Sequence, residues 1–169
     1  MIYFTKSIRY QWIHDPKTEP EIFINDFMSH AVGPVSFNDP KLSEVAECIR
    51  LHFRSGYCWH FATMLKATFN RGEICWTAPL NHFIWRDIDG ICYDIEGKYE
   101  EHINGDVFYF IPEKYLGDYI NSFKHISPES YKKYCILCAD QLICIVKQYC
   151  TDMNISYDNR IEYYFKNAF

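Results

Sequence analysis

A chain of 169 residues that is 49% hydrophobic and 18% aromatic has enough apolar surface to bury a real core as one domain, which excludes a disordered chain. Its formal net charge is −5 and it carries no basic stripe, which argues against a nucleic-acid binder. No apolar run approaches the roughly 20 residues that span a bilayer, so no membrane segment is expected.

The N-terminal stretch MIYFTKSIRYQWIHDP lacks an apolar segment followed by a small-residue cleavage site, so it does not read as a secretory leader. A cytoplasmic location is expected. Residues 2–13 suit either a strand or an irregular arm, and Pro16 and Pro20 break the chain after it. A helix is expected from Glu21, with Ile22, Phe23, Phe27 and Ala31 on one face and Gly33-Pro34 as its stop. A second helix has Asp39 as cap, Pro40 in its first turn and Leu42, Val45, Ala46, Ile49 and Phe53 at helical spacing. Ser55-Gly56 ends it.

The next helix runs from about Cys58 to Phe69, with a buried stripe of Phe61, Ala62, Leu65 and Phe69. Residues 73–78 suit a short strand, with Pro79 in the turn that follows. Residues 82–88 and 91–95 form a hairpin around Asp89-Gly90. A strand from Val107 to Ile111 is stopped by Pro112, and PEKYLGDYINSFKHI reads as loop with a short helix. Residues 128–150 read as a long apolar helix with Pro128 at its first turn and Cys135, Cys138, Leu142, Ile145, Val146 and Tyr149 toward the core. The tail adds a last helix or strand. Helices, then a meander of strands, then helices predict an α+β fold over residues 1–169.

The hairpin's register decides which residues share a face. A two-residue loop at Asp89-Gly90 would place His82 and Asp94 on opposite faces and mix acids with large apolar groups. A three-residue loop, Ile88-Asp89-Gly90, with Gly90 left-handed, collects Phe83, Trp85, Tyr93 and Ile95 on one face. His82, Arg86, Asp94 and Glu96 then share the other. That segregation suits a half-buried sheet and is the register expected here. It sets His82 diagonal to Asp94, with Glu96 directly across, so both acids are candidates to orient the imidazole.

These residues suggest nucleophilic chemistry. A thiol at a helix N-terminus beside an imidazolium is held as thiolate, the nucleophilic form. Gly56 allows a sharp approach to Cys58, His82 is the base, and Asp94 holds the ring in one tautomer. The Cys58 N–H is one oxyanion donor, and His52, Gln11 and His30 compete to be the second. Trp59 and Glu96 are further candidates for the substrate side of the site.

The segment GYCWHFA resembles the Cys-Trp signature of the papain-like superfamily. Papain-type enzymes place His and Asn roughly 130–150 residues beyond the cysteine, whereas here His82 follows Cys58 by 24 residues and Asp94 follows His82 by 12. The short intervals, in the order Cys, His, Asp, are similar to the transglutaminase-like branch, over about residues 56–97. The resemblance implies a papain-like core of helices packed on a small antiparallel sheet, with the nucleophile at a helix N-terminus. It also implies a Cys58–His82–Asp94 triad acting through an acyl-enzyme on an amide, ester or thioester carbonyl of a peptide or protein, without cofactor or metal. Peptidase, amidase, deamidase and acyltransferase activities all occur in that superfamily, as do inactive binding domains, so a peptide-binding module is the competing expectation.

Of the eight cysteines, those other than Cys58 are expected to be reduced thiols packed as small apolar groups. Cys135-x-x-Cys138 lies inside an apolar helix and has no second Cys/His pair at zinc-site spacing, so it is not read as a metal or redox motif. A zinc site from Cys58, His60, Cys75 and His82 is a further alternative without a spacing pattern behind it.

Overall fold

The computed structural model describes residues 19–32, 40–99, 108–123 and 127–167. Among them are six α-helices and a five-stranded antiparallel sheet. Helices α1 (Pro20–Val32), α2 (Pro40–Arg54) and α3 (Cys58–Phe69) come first. Strands β1 (Glu73–Ala78), β2 (His82–Arg86), β3 (Cys92–Asp94), β4 (Gly97–Lys98) and β5 (Tyr109–Pro112) follow. Two 3-10 turns lead to α4 (Ile120–Phe123), the long α5 (Pro128–Met153) and α6 (Arg160–Asn167). The expected α+β class holds. The expectations for residues 2–13, Gln11, Gly33-Pro34, Asp39 and Val107 fall outside the described residues.

The strand order is β4-β3-β2-β1-β5, a four-strand meander with β5 returning to the outer side of β1. Trp85 pairs with Tyr93, Arg86 with Cys92, and the Asp87 N–H donates to Ile91 O at 2.8 Å. The loop is therefore Ile88-Asp89-Gly90, and Gly90 sits at φ +86, where a side chain would be strained. The expected register is the observed one.

Register sorts the sheet into two faces. Ile74, Trp76 and Ala78 of β1, Phe83 and Trp85 of β2, Tyr93 and Ile95 of the β3 segment, and Tyr109 and Ile111 of β5 belong to one buried cluster with the helices. Phe69 of α3 stacks on Trp85 with ring centres 5.1 Å apart, and Trp76 meets Phe123 and Phe165. Helix α3 buries Cys58, Phe61, Ala62, Leu65 and Phe69, the stripe read from the sequence. The opposite face is less polar than expected. Cys75, Ile84 and Cys92 form a second small apolar cluster there, with Tyr99 and Phe110 packed against it.

Other helical faces need correction. In α1 the buried set is Pro20, Phe23, Ile24, Phe27 and Met28, while Ile22 is exposed, because the stripe 20/23/24/27/28 follows the helical period and 22 falls outside it. In α2, Val45 is exposed although Ile49 is buried. In α5, Tyr131, Cys135, Ala139, Leu142, Ile143, Val146, Tyr149 and Cys150 are buried, with Cys138 and Ile145 only partly so. Ser127 caps α5 by accepting the Ser130 N–H. Among the described residues no helix is long and apolar enough to cross a membrane.

Candidate active site

The site lies where β2 and β3 part. In the antiparallel ladder, Trp85 and Asp87 turn their backbone groups toward β3, and by the same alternation so does Phe83. The paired residues stop at Trp85↔Tyr93, however, so the Phe83 N–H is not used by a strand. It donates to the sulfur of Cys58 instead. Helix α3 lies on the apolar face of the sheet, and its first turn meets this opening. Cys58 thereby reaches the imidazole although His82 alternates to the other face.

The first turn of α3 is built to favour an anion. Gly56 takes φ +121 and brings the chain sharply into Tyr57, the N-cap, which offers no side-chain cap. The first intrahelical bond is Phe61 N–H to Tyr57 O, so the N–H groups of residues 58–60 precede the helical ladder. That of Trp59 donates to the Cys58 sulfur. The first-turn N–H groups and the helix dipole together stabilise negative charge here.

His82 is held from three sides. Its Nε2 lies 2.9 Å from Asp94 Oδ2, which leaves Nδ1 for the hydrogen bond with Cys58. Asp94 is fixed at its other oxygen, where Oδ1 accepts the Glu96 N–H at 2.8 Å across the tight turn into β4. Behind the histidine, buried Thr77 donates through Oγ1 to His82 O at 3.0 Å and lies 3.2 Å from Leu80 O, while the Tyr131 hydroxyl donates to Pro79 O. The loop delivering His82 is thus fastened to both β1 and α5.

The electrostatics follow from this geometry. Burial is the largest influence on Cys58 and pushes its thiol pKa up. The His82 hydrogen bond and charge, with the Phe83 and Trp59 N–H groups, outweigh it and leave the thiol below its ordinary range. Burial likewise pushes His82 down, but Asp94 and Cys58 outweigh it and raise the imidazole to about 9. Both shifts act in the direction that favours a thiolate–imidazolium pair over the neutral one. The Cys58 residue is only 6% exposed, yet its sulfur meets an imidazole and two backbone donors rather than hydrocarbon alone.

The other expected residues separate. Glu96, the rival acid, faces Arg50 (Nε to Oε2, 3.2 Å) and Arg54 (Nη1 to Oε1, 3.4 Å) on α2, so Asp94 alone of the two acids contacts the imidazole. Trp59 Nε1 donates to Glu113 Oε2 at 2.7 Å, which ties it to the segment after β5 instead of freeing it as an oxyanion donor. His52 stacks on Tyr57, with ring centres 4.0 Å apart and planes 15° from parallel. His30 is engaged with Asp26 O inside α1. Cys75 belongs to the apolar cluster on the sheet face to which His82 also alternates, opposite the face covered by α3, and among the described residues no three His, Cys, Asp or Glu side chains converge as a metal site.

A protein-family model described as Phage YunG-like protein matches residues 41–133, more than half of the chain. The chain belongs to the Phage YunG-like family. The matched segment runs from α2 into the first turns of α5 and contains Cys58, His82 and Asp94. No curated protein and no solved structure matches the chain.

Sequence reasoning missed the two backbone donors to Cys58 and the clamp on Trp59. Backbone N–H groups carry no residue signature, and the Phe83 donor emerges only from knowing where the β2–β3 ladder stops. Glu113 was discernible only as an acid directly after Pro112.

Proposed function

We propose that the protein is a cysteine-nucleophile hydrolase with a transglutaminase-like or papain-like core, acting on an amide, ester or thioester carbonyl of a peptide or protein. The single observation that carries this reading is the continuous chain of hydrogen bonds from Cys58 through His82 to Asp94. The Cys58 thiolate attacks the carbonyl carbon, forming a C–S bond and moving an electron pair onto oxygen, where the Cys58 N–H stabilises it. Imidazolium Nδ1–H of His82 then protonates the departing amine as the C–N bond breaks, leaving an acyl-thioester. Neutral His82 next takes a proton from water as its oxygen attacks the thioester, and the thiolate departs with the acid product. Asp94 keeps Nδ1 directed at the sulfur and stabilises the charged ring.

The alternative, a peptide-binding module on the same scaffold, is favoured by one observation, the slight exposure of Cys58. Competitive labelling with iodoacetamide at pH 6.5, read by peptide mass spectrometry, separates the two. The hydrolase reading expects Cys58 to label first of the eight thiols, ahead of the exposed Cys48 and Cys144. Labelling ordered by exposure alone, with Cys48 and Cys144 leading, defeats it.

A further inference from the structure

We propose that Arg50 and Arg54 form a subsite for a substrate carboxylate beside the scissile carbonyl. The inference rests on the reading of Cys58 as nucleophile and adds what the substrate carries. Both arginines project from the last turn and a half of α2, whose chain leads directly through Ser55-Gly56 into Tyr57 and Cys58. Their shared partner, Glu96, stands two residues beyond Asp94 and gives its N–H to that residue's carboxylate at 2.8 Å. The pair is thereby attached to both the nucleophile and the acid of the site.

Charge and donor count at this cluster are unequal. Two guanidiniums face one carboxylate, which leaves one positive charge uncompensated among the described residues. Each guanidinium carries five N–H donors, and Glu96 accepts one Nη1 donor of Arg54 at 3.4 Å while its other oxygen lies 3.2 Å from Arg50 Nε as an ion pair. The remaining fork can take a second carboxylate in the bidentate manner arginine favours. Side-chain exposures of 39% and 45% leave both arginines open to a ligand. On the far side of Cys58 the wall is acidic at Glu113, which gives the site a direction along which an acidic substrate would lie.

The test compares two alkylating agents of similar size at Cys58: iodoacetate, which carries a carboxylate, and iodoacetamide, which is neutral. In each case the thiolate forms a C–S bond with the methylene carbon as iodide leaves. At about 20 mM ionic strength, where surface charges are weakly screened, Arg50→Gln and Arg54→Gln should each lower the iodoacetate-to-iodoacetamide rate ratio about threefold, and the double variant about tenfold. Glu96→Gln, which removes the counter-charge, should raise the ratio about threefold. Arg50→Lys with Arg54→Lys keeps the charge but loses the guanidinium fork, and should leave a ratio between that of the parent and that of the double Gln variant. A merely structural role would change both rates together. Protection of Cys58 from iodoacetamide by Ac-Gly-Glu-NH2 over Ac-Gly-Gly-OH would assign the carboxylate to a side chain, and the reverse order to a chain terminus. A ratio unmoved by all three charge-removing variants, with Cys58 still reactive, overturns the subsite and spares the nucleophile. Failure of both reagents to label Cys58 overturns the two readings together.

Discussion

Buried cysteines in different regions of this molecule are pushed in opposite directions. Cys135 lies in the middle of α5 and Cys75 on the far face of the sheet, and burial raises the first thiol to about 11 and the second to about 12. Cys58 is also buried, and burial acts on it in the same direction, yet its thiol lies below the ordinary range. The difference is not solvent access. Cys135 has the Tyr131 hydroxyl as its lowering partner and Cys75 the charge of Arg86, and in neither case does this offset burial. Cys58 has an imidazole, itself charged by a carboxylate, and two N–H groups from an unfinished helix and an unfinished strand ladder. Burial makes a thiol inert by default, and only convergent donors reverse that default.

Breaking the convergence should make Cys58 behave like Cys135. His82→Ala removes the dominant favourable partner and should lower the pH 6.5 iodoacetamide labelling rate of Cys58 about a thousandfold, because the thiolate fraction collapses. A rate within threefold of the parent would show that the helix terminus suffices without the imidazole.

Asp94→Asn tests the next link and has a smaller effect. The carboxylate raises His82, so the parent ring should keep its proton until pH rises through about 9. In the variant that loss should come at lower pH, read from the 15N shifts of the His82 ring, with Cys58 labelling at pH 6.5 reduced about tenfold. An unmoved titration would pass the orienting role back to Glu96.

The smallest effect is expected at Glu113. Glu113→Ala leaves the Trp59 indole N–H without its acceptor, at a cost of about 1–3 kcal/mol. The midpoint of thermal unfolding should fall by roughly 2–4 °C for each kcal/mol. Cys58 labelling should stay within about threefold of the parent rate, because the backbone donor of Trp59, not its ring, meets the sulfur. A larger loss would mean that the indole positions the first turn of α3.

Much of the scaffold was legible residue by residue. The stripe of Phe61, Ala62, Leu65 and Phe69 states helix α3, because apolar side chains at that spacing have one buried solution. Asp89-Gly90 and the sorting of Phe83, Trp85, Tyr93 and Ile95 state the register, because a slip by one residue would turn every one of them outward. Ile22 and Val45 were misassigned because a helix's buried face depends on its rotation against neighbours, which an isolated apolar pattern leaves loose. The second apolar cluster of Cys75, Ile84 and Cys92 was overlooked because a small thiol beside one isoleucine gives no alternating signal.

By itself the sequence determined the order of the three chemical groups and the strand face that carries two of them, since alternation along a strand is a local property of the backbone. Which acid meets the imidazole was decided only in three dimensions. Asp94 and Glu96 are equivalent by alternation, but the tight turn between β3 and β4 separates them, and the arginines of α2 hold Glu96 aside. The state of the sulfur was also a tertiary matter, because it depends on where a helix begins relative to where a strand ladder ends, a relation between distant backbone groups that no side-chain pattern encodes.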